Sequence, residues 1–315
     1  MKNFALTGLA GYIAPRHLKA ILETGNRLVA AADPHDSVGV LDRFFPEASY
    51  FREIERFDRH LEKLRRGPEA DRIHYLSICS PNFLHDAHIR LALRAGAHAI
   101  CEKPLVINPW NLDALAELEQ ESGGRVYTVL QLRVHPALLA LKEQLNAERG
   151  ARPHDVLLTY ITPRGSWYRY SWKGNPEQSG GIATNIGVHL FDLLLWLFGP
   201  VLDMAVHCSE PGRMAGFLEL AHARVRWFLS IEGADLARAN GAVPTRTYRS
   251  ILVDGVEVEF TGGFDDLHTR IYERTLAGEG FGIEAARPSI ELVHRIRTAA
   301  SNRPDGDTAH PALLG

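Results

Sequence analysis

A lysine set between a glutamate and a proline, Glu102-Lys103-Pro104, closes a short apolar run, and Asn185-Ile-Gly-Val-His189 follows some eighty residues later. An ammonium can hydrogen-bond a hydroxyl and support charge on its oxygen, and a desolvated lysine with a lowered pKa can also act as acid or base. An imidazole can take the hydroxyl proton while a hydride leaves the same carbon. A glycine loop, Gly8-Leu-Ala-Gly11-Tyr12-Ile13-Ala14, opens the chain and suggests a dinucleotide as the third partner. Lysine, histidine and nicotinamide together describe oxidation of an alcohol to a ketone. Each has an ordinary alternative: a solvated surface charge, a hydrogen-bonded core histidine, a tight turn.

The elements that must position these residues fall into two groups. Up to about residue 125 short apolar runs alternate with amphipathic segments, as in βαβ units on a parallel sheet. Phe4–Thr7, Leu28–Ala32, His74–Cys79, His98–Cys101 and Val126–Gln131 read as strands. Pro15–Thr24, Glu53–Arg66, His85–Ala95 and Trp110–Glu121 read as helices. After a helix at Ala137–Arg149 the runs Val156–Thr162, Met204–Ser209, Ala223–Ile231, Thr247–Val253 and Val256–Phe260 alternate, which marks a mostly antiparallel sheet with one covered face. Asp254-Gly255 is a hairpin signal. Ile186–Phe198 reads as a buried helix and Ile283–Ala300 as the last helix, with a loose tail after it. The fold class is therefore α/β: a doubly wound Rossmann sheet over residues 1–131, then an α+β domain over 132–315 for substrate binding and oligomerisation.

A strand, a glycine turn and a helix in that order place N–H groups and a helix N-terminus where a pyrophosphate can sit, so Gly8, Gly11, Tyr12 and Ile13 are cofactor candidates. The spacing G-x-x-G-x-x-A departs from the usual fingerprint. Asp33, nineteen residues beyond Ala14, ends the second strand, where a carboxylate accepts from ribose hydroxyls and repels a 2′-phosphate; NAD is favoured over NADP. Capping of the next segment through Asp33-Pro34 is the alternative. Ligands of an open parallel sheet lie outside the strands' carboxyl ends, which adds Ser80, Asn82, His85, Glu102 and Gln131 to the cofactor side.

Composition excludes several classes. A formal charge of −3 argues against bulk electrostatic binding of nucleic acid, and 45% hydrophobic residues supply a full core. Three cysteines without metal spacing indicate a reducing cytoplasm. No signal peptide and no membrane span is expected. No metal is expected either; His85 and His88 are read as cofactor-side and solvent-side residues of one helix.

Glu102-Lys103-Pro104, the loop at 8–14 and Gly180-Gly-Ile-Ala-Thr184-Asn185-Ile-Gly-Val-His189 resemble the Gfo/Idh/MocA oxidoreductases over essentially the whole chain. Gly11–His17, Ser77–Asn82, Gln131-Leu-Arg133, Tyr160–Tyr168, Ser171–Gly174 and Ala223–Leu229 are similar in particular to the WlbA-type UDP-N-acetylglucosaminuronate 3-dehydrogenases. The resemblance implies NAD-dependent oxidation of the sugar 3-hydroxyl, a 3-aminotransferase as functional partner, a role in bacterial surface-polysaccharide (O-antigen) biosynthesis, and a dimer or tetramer built through the second sheet. Many family members carry aspartate where this chain has Asn185. Asparagine orients an imidazole but cannot stabilise its charge, which shifts weight from His189 to Lys103.

A UDP-sugar acid needs cations and a stacking surface. Arg164-Gly-Ser-Trp-Tyr168-Arg-Tyr-Ser-Trp172-Lys173 interleaves both, with packing against another subunit as the alternative. Arg133 is a candidate for the sugar carboxylate, and Thr184, Asn185 and His189 complete the substrate side. Two other readings stay open: a polyol or simple-sugar dehydrogenase, and a non-catalytic NAD sensor. So does the fate of NADH, released or reoxidised in place by a keto acid such as 2-oxoglutarate.

Overall fold

The computed structural model describes residues 1–148, 150, 152–240, 246–260, 262–304 and 306–314. The elements begin β1 (Asn3–Thr7), α1 (Ala14–Glu23), β2 (Arg27–Ala32), α2 (Val40–Phe44), β3 (Ser49–Phe51), α3 (Ile54–Arg66), β4 (Tyr75–Ile78), α4 (His85–Arg94), β5 (His98–Cys101), α5 (Trp110–Ser122) and β6 (Val126–Thr128). They continue with α6 (Pro136–Ala147), β7 (His154–Ile161), α7 (Ser166–Tyr170), α8 (Pro176–Ser179), α9 (Val188–Phe198), β8 (Val201–Glu210), β9 (Arg213–Leu220) and β10 (Ala223–Ser230). The last are α10 (Gly233–Asn240), β11 (Tyr248–Val253), β12 (Val256–Glu257), α11 (Leu267–Leu276) and α12 (Ile283–Thr298).

Two compact units result. The first holds Met1–Val134 and Phe264–Arg287, the second His135–Gly263 and the chain from Pro288 on. In the first, six parallel strands run in the order β3-β2-β1-β4-β5-β6, which reverses direction between β1 and β4. Strands β1 and β4 are buried along their whole length, as expected where both faces of a sheet are covered. The segment 264–287, on the far side of the sequence boundary at 131/132, belongs here by packing. Leu267, Ile271 and Tyr272 of α11 lie in one core with Phe4, Leu6, Leu18 and Ile21, and the Tyr272 ring stacks on Phe4 at 5.8 Å.

The second unit carries a sheet in the order β12-β11-β7-β10-β9-β8, antiparallel except for β7 with β10. Asp254 and Gly255 both take positive φ (51° and 82°) in the hairpin the sequence marks. Trp227 of β10 is fully buried, edge-on to Phe191 of α9 at 5.2 Å.

Several expectations need correction. The helix expected to reach Arg149 ends at Ala147, and Arg149 lies outside the described residues. The strand expected to reach Gln131 stops at Thr128, after which Gln131–Val134 turns as a 3-10 helix. Among its described residues the tail is anchored rather than loose. His310 is 2% exposed, its Nε2 lies 3.0 Å from Thr159 Oγ1 and its ring stacks on Phe228 at 5.4 Å. Helical turns from Pro176 to Phe198 make a 23-residue stretch apolar enough to span a bilayer by length and composition, but 78% of its most apolar window is buried within the fold. It is a core helix of the second unit.

Candidate functional site

In the first unit the candidates gather at the carboxyl ends of the strands. Gly8 has φ +82°, and a Cβ there would lie 2.4–2.5 Å from the backbone of Cys79 and Ser80, so only glycine lets the loop pass the end of β4. Asp33 is buried at the end of β2; its Oδ2 accepts the Ala10 N–H and its Oδ1 the His35 N–H, both at 2.9 Å. The residue expected at the ribose thus also braces the loop. Tyr12 is 87% exposed on the loop, while Ile13 packs toward the core. Ser80 and Asn82 are buried at the end of β4. Gln131 is half-buried beyond β6, and its Oε1 is buried with no hydrogen-bond partner. The glycine cradle, the Asp33 carboxylate and the orphaned Gln131 oxygen fit a dinucleotide along this rim.

Two expected cofactor contacts take other tasks. His85 is 1% exposed, with Nδ1 2.7 Å from Pro104 O and Nε2 2.9 Å from Ser80 O, so neither ring nitrogen is left for a ligand. Its neighbour His88 is not on the solvent side. It is buried with Nδ1 2.8 Å from Ser80 Oγ, and burial drops its pKa to about 4.

Glu102 also turns inward. Its Oε1 meets His17 Nε2 at 2.8 Å and His268 Nε2 at 2.9 Å. Burial pushes this carboxyl up, but the hydrogen bonds from both imidazoles outweigh it and hold the pKa well below the ordinary range. His17 in turn is lowered by burial. These two histidines, with Tyr272 and Ser77 behind them, were not visible in the sequence, because 85 residues separate His17 from Glu102 and 166 separate Glu102 from His268. Lys103 follows directly, half-buried, with a cis bond to Pro104. Arg133, expected on the sugar carboxylate, donates from Nη2 to Ala285 O at 3.0 Å and lies 5.6 Å from the Phe281 ring centre.

In the second unit the candidates line the segment between β7 and α9. Residues Ala183–Gly187 form a π-turn before α9 starts at Val188, so Asn185 and His189 flank a change of helix type rather than sharing one regular helix. Asn185 Nδ2 donates to Tyr168 Oη at 2.9 Å, which leaves the Tyr168 hydroxyl hydrogen to be donated elsewhere. Burial raises the Tyr168 pKa. His189 lies edge-on to Tyr160 at 6.0 Å. Arg164 is exposed, its backbone N–H fixed on Ile231 O at 3.0 Å. Lys173 Nζ sits 5.5 Å from the ring centres of both Trp167 and Trp172, and burial followed by the Arg164 charge lowers its pKa. Thr184 is 0% exposed, with no hydrogen-bond partner for its Oγ1.

Comparison with known proteins adds identity to this geometry. The profile "Oxidoreductase family, NAD-binding Rossmann fold" matches residues 2–130, and "Oxidoreductase family, C-terminal alpha/beta domain" matches 152–242. The WlbA (WbpB) dehydrogenase of Thermus thermophilus, solved with NAD and UDP-GlcNAcA, is 56% identical over 99% of each chain with a TM-score of 0.94. The same enzyme solved with NAD and alpha-ketoglutarate gives 0.93. A putative UDP-kanosamine synthase oxidoreductase subunit of Amycolatopsis mediterranei is 34% identical over 58% of this chain and 48% of its own length. An uncharacterized oxidoreductase of Synechocystis is 28% identical over 48% of this chain and 40% of its own. The chain thus spans less than two thirds of these curated relatives' length. Two matching profiles, and a relative of more than half identical residues end to end, establish that the chain belongs to the Gfo/Idh/MocA oxidoreductase family, with an NAD-binding Rossmann domain followed by a C-terminal α/β domain.

Proposed function

We propose that this protein oxidises the 3-hydroxyl of UDP-N-acetylglucosaminuronic acid to the ketone with NAD. One observation carries the reading: the 56% identity, over 99% of both chains, to a dehydrogenase solved with NAD and UDP-GlcNAcA. NAD would be held by Gly8, Gly11, Tyr12 and Ile13, by Asp33 at the ribose, and by Ser80, Asn82 and Gln131. When bound it supplies a nicotinamide that accepts hydride. Lys103 takes the proton of the 3-hydroxyl and then hydrogen-bonds the ketone oxygen. His189 is the second proton-handling residue, with the neutral Asn185 rather than a carboxylate four residues before it. Arg164, Tyr168 and Trp172, with Lys173 between two indoles, offer cations for the diphosphate and faces for the uracil. Arg133 and Thr184 are weaker substrate candidates, since one guanidinium is spent within the first unit and one hydroxyl is sealed from solvent.

A 3-keto sugar is the natural substrate of an aminotransferase, which places the reaction before amination on the way to a diacetamido-uronic acid of bacterial surface polysaccharide. The setting is cytoplasmic, and the protein works as a homo-oligomer of two or four chains. The relative that binds alpha-ketoglutarate beside NAD supports a closing half-reaction, in which 2-oxoglutarate takes hydride and a proton and leaves as 2-hydroxyglutarate.

The test incubates the protein with NAD, UDP-N-acetylglucosaminuronic acid and a 3-aminotransferase, reading amino sugar by mass spectrometry. Product that disappears with Lys103→Met supports the reading. Oxidation of polyols with no action on the UDP-sugar overturns the substrate and leaves the family intact. Formation of 2-hydroxyglutarate in step with product tests the return of NADH.

A further inference from the structure

The residues flanking Lys103 are gripped from three directions. On one side Glu102 Oε1 receives the Nε2–H groups of His17 (2.8 Å) and His268 (2.9 Å), while Oε2 accepts the Lys103 backbone N–H at 3.2 Å. On the other side His85 sits between two carbonyl oxygens, Pro104 O at 2.7 Å from Nδ1 and Ser80 O at 2.9 Å from Nε2, and a neutral ring donates to one of them. The grip is itself backed: His17 Nδ1 lies 2.7 Å from Tyr272 Oη, which lies 2.6 Å from Ser77 Oγ. His17, His85 and His268 are 0%, 1% and 2% exposed and come from α1, α4 and α11.

His17, Glu102 and His268 could also be read as a metal-binding set, since all three donor atoms lie within 4.8 Å of one another. The arrangement argues otherwise. Donors around a tetrahedral zinc at about 2.0–2.1 Å stand roughly 3.3 Å apart and surround a space. Here both nitrogens converge on a single oxygen at hydrogen-bond length, so the hub is Glu102 Oε1 itself. Two imidazole N–H groups give a buried carboxylate the donors it needs.

We propose that His17, His85 and His268 are positioning residues for Lys103, locking Glu102 and Pro104 so that the lysine has one setting relative to the nucleotide loop at the head of α1. The inference rests on Lys103 as the proton-handling residue. A misplacement of about 1 Å at such a group can cost about a hundredfold in rate, which is reason enough for a rigid mount.

The experiment compares His268→Leu with His268→Gln, which keeps an N–H donor, in the coupled assay and in NAD titration. The expected result is a kcat lower by about tenfold to a hundredfold for His268→Leu, an NAD Kd within about twofold of wild type, and recovery to within about threefold in His268→Gln. Equal loss in both variants, full activity in His268→Leu, or an NAD Kd that rises in step with the loss of kcat would overturn the proposal. Should His268→Leu fail to fold, nitrogen-15 histidine NMR of the wild-type protein decides. A proton on Nε2 of both His17 and His268 at pH 7 supports the clamp; an unprotonated Nε2 on either ring, or one bound metal equivalent by elemental analysis, overturns it. If the wild-type protein makes no keto sugar, the proposed reaction falls and the NMR result judges the clamp by itself.

Discussion

The strand-end rim of the first unit and the 164–189 segment of the second carry candidate residues by opposite means. Around Lys103 buried histidines fix the neighbouring residues: His17 and His268 meet Glu102 across 85 and 166 residues, and His85 lies against Pro104 O and Ser80 O. Between Arg164 and Trp172 the side chains stand on short helical turns, with Trp167 55% and Tyr170 90% exposed. The difference teaches a division of labour. A group that must meet one fixed cofactor atom is worth mounting rigidly, whereas a surface for a sugar nucleotide can order itself around what it binds.

The sharpest way to break this comparison is Lys103→Met. It should lower kcat by about 10²–10⁴-fold with NAD affinity within about twofold, measured by single-turnover kinetics and cofactor titration. Glu102→Leu comes next. Removing the hub strands two buried N–H donors and should cost about 2–4 kcal/mol in urea unfolding. A loss below about 0.5 kcal/mol would mean the rim is no more tightly held than the aromatic segment.

Acid should strain both units, and a buried histidine in each shows how. His88 and His310 have folded pKa values of about 4 against 6.5 unfolded, lowered mainly by burial. A depressed histidine pKa means the unfolded chain binds the proton more tightly. The stability it reflects is complete above about pH 6.5 and is lost as pH falls towards 4, by up to about 3 kcal/mol per residue. Urea midpoints from pH 7 to pH 4 would measure this, and His88→Gln should flatten part of the slope. Substitution on the exposed side should do less to the fold and more to recognition. Trp172→Ala should raise KM for the UDP-sugar about tenfold, leave kcat within about threefold, and change stability by less than about 0.5 kcal/mol. Smallest of all, Asn185→Asp should alter kcat by only a few fold and shift its pH profile, because a carboxylate would favour a charged His189.

What the sequence reveals and what it hides follow from how local each signal is. The glycine loop, Asp33, the strand-end lysine and the Asp254-Gly255 hairpin are written in neighbouring residues, and the structure places each at a strand end or turn. Strand β3 is three residues long at the sheet edge, too short for a period to show. Strand β9 was hidden by Gly216, which sits mid-strand because a Cβ there would come 2.2 Å from Ala205 O and 2.7 Å from the Trp227 ring. The return of 264–287 to the first unit, and with it His268 and Tyr272, depends on contacts made across more than 160 residues. No pattern within one segment could announce them. Glu102 and His85 were recognised as special by their place on the rim, but the direction of their side chains is a tertiary fact.

Asp33 carries one further implication. One oxygen holds the nucleotide loop to the end of β2 through Ala10 and the other takes the His35 N–H, and in the proposed cofactor pose the same carboxylate would face a 2′-phosphate. Removing that charge to admit NADP would also unpin the loop proposed to hold the dinucleotide. On the proposed pose a change of coenzyme calls for two coordinated substitutions, one to admit the phosphate and one to replace the brace.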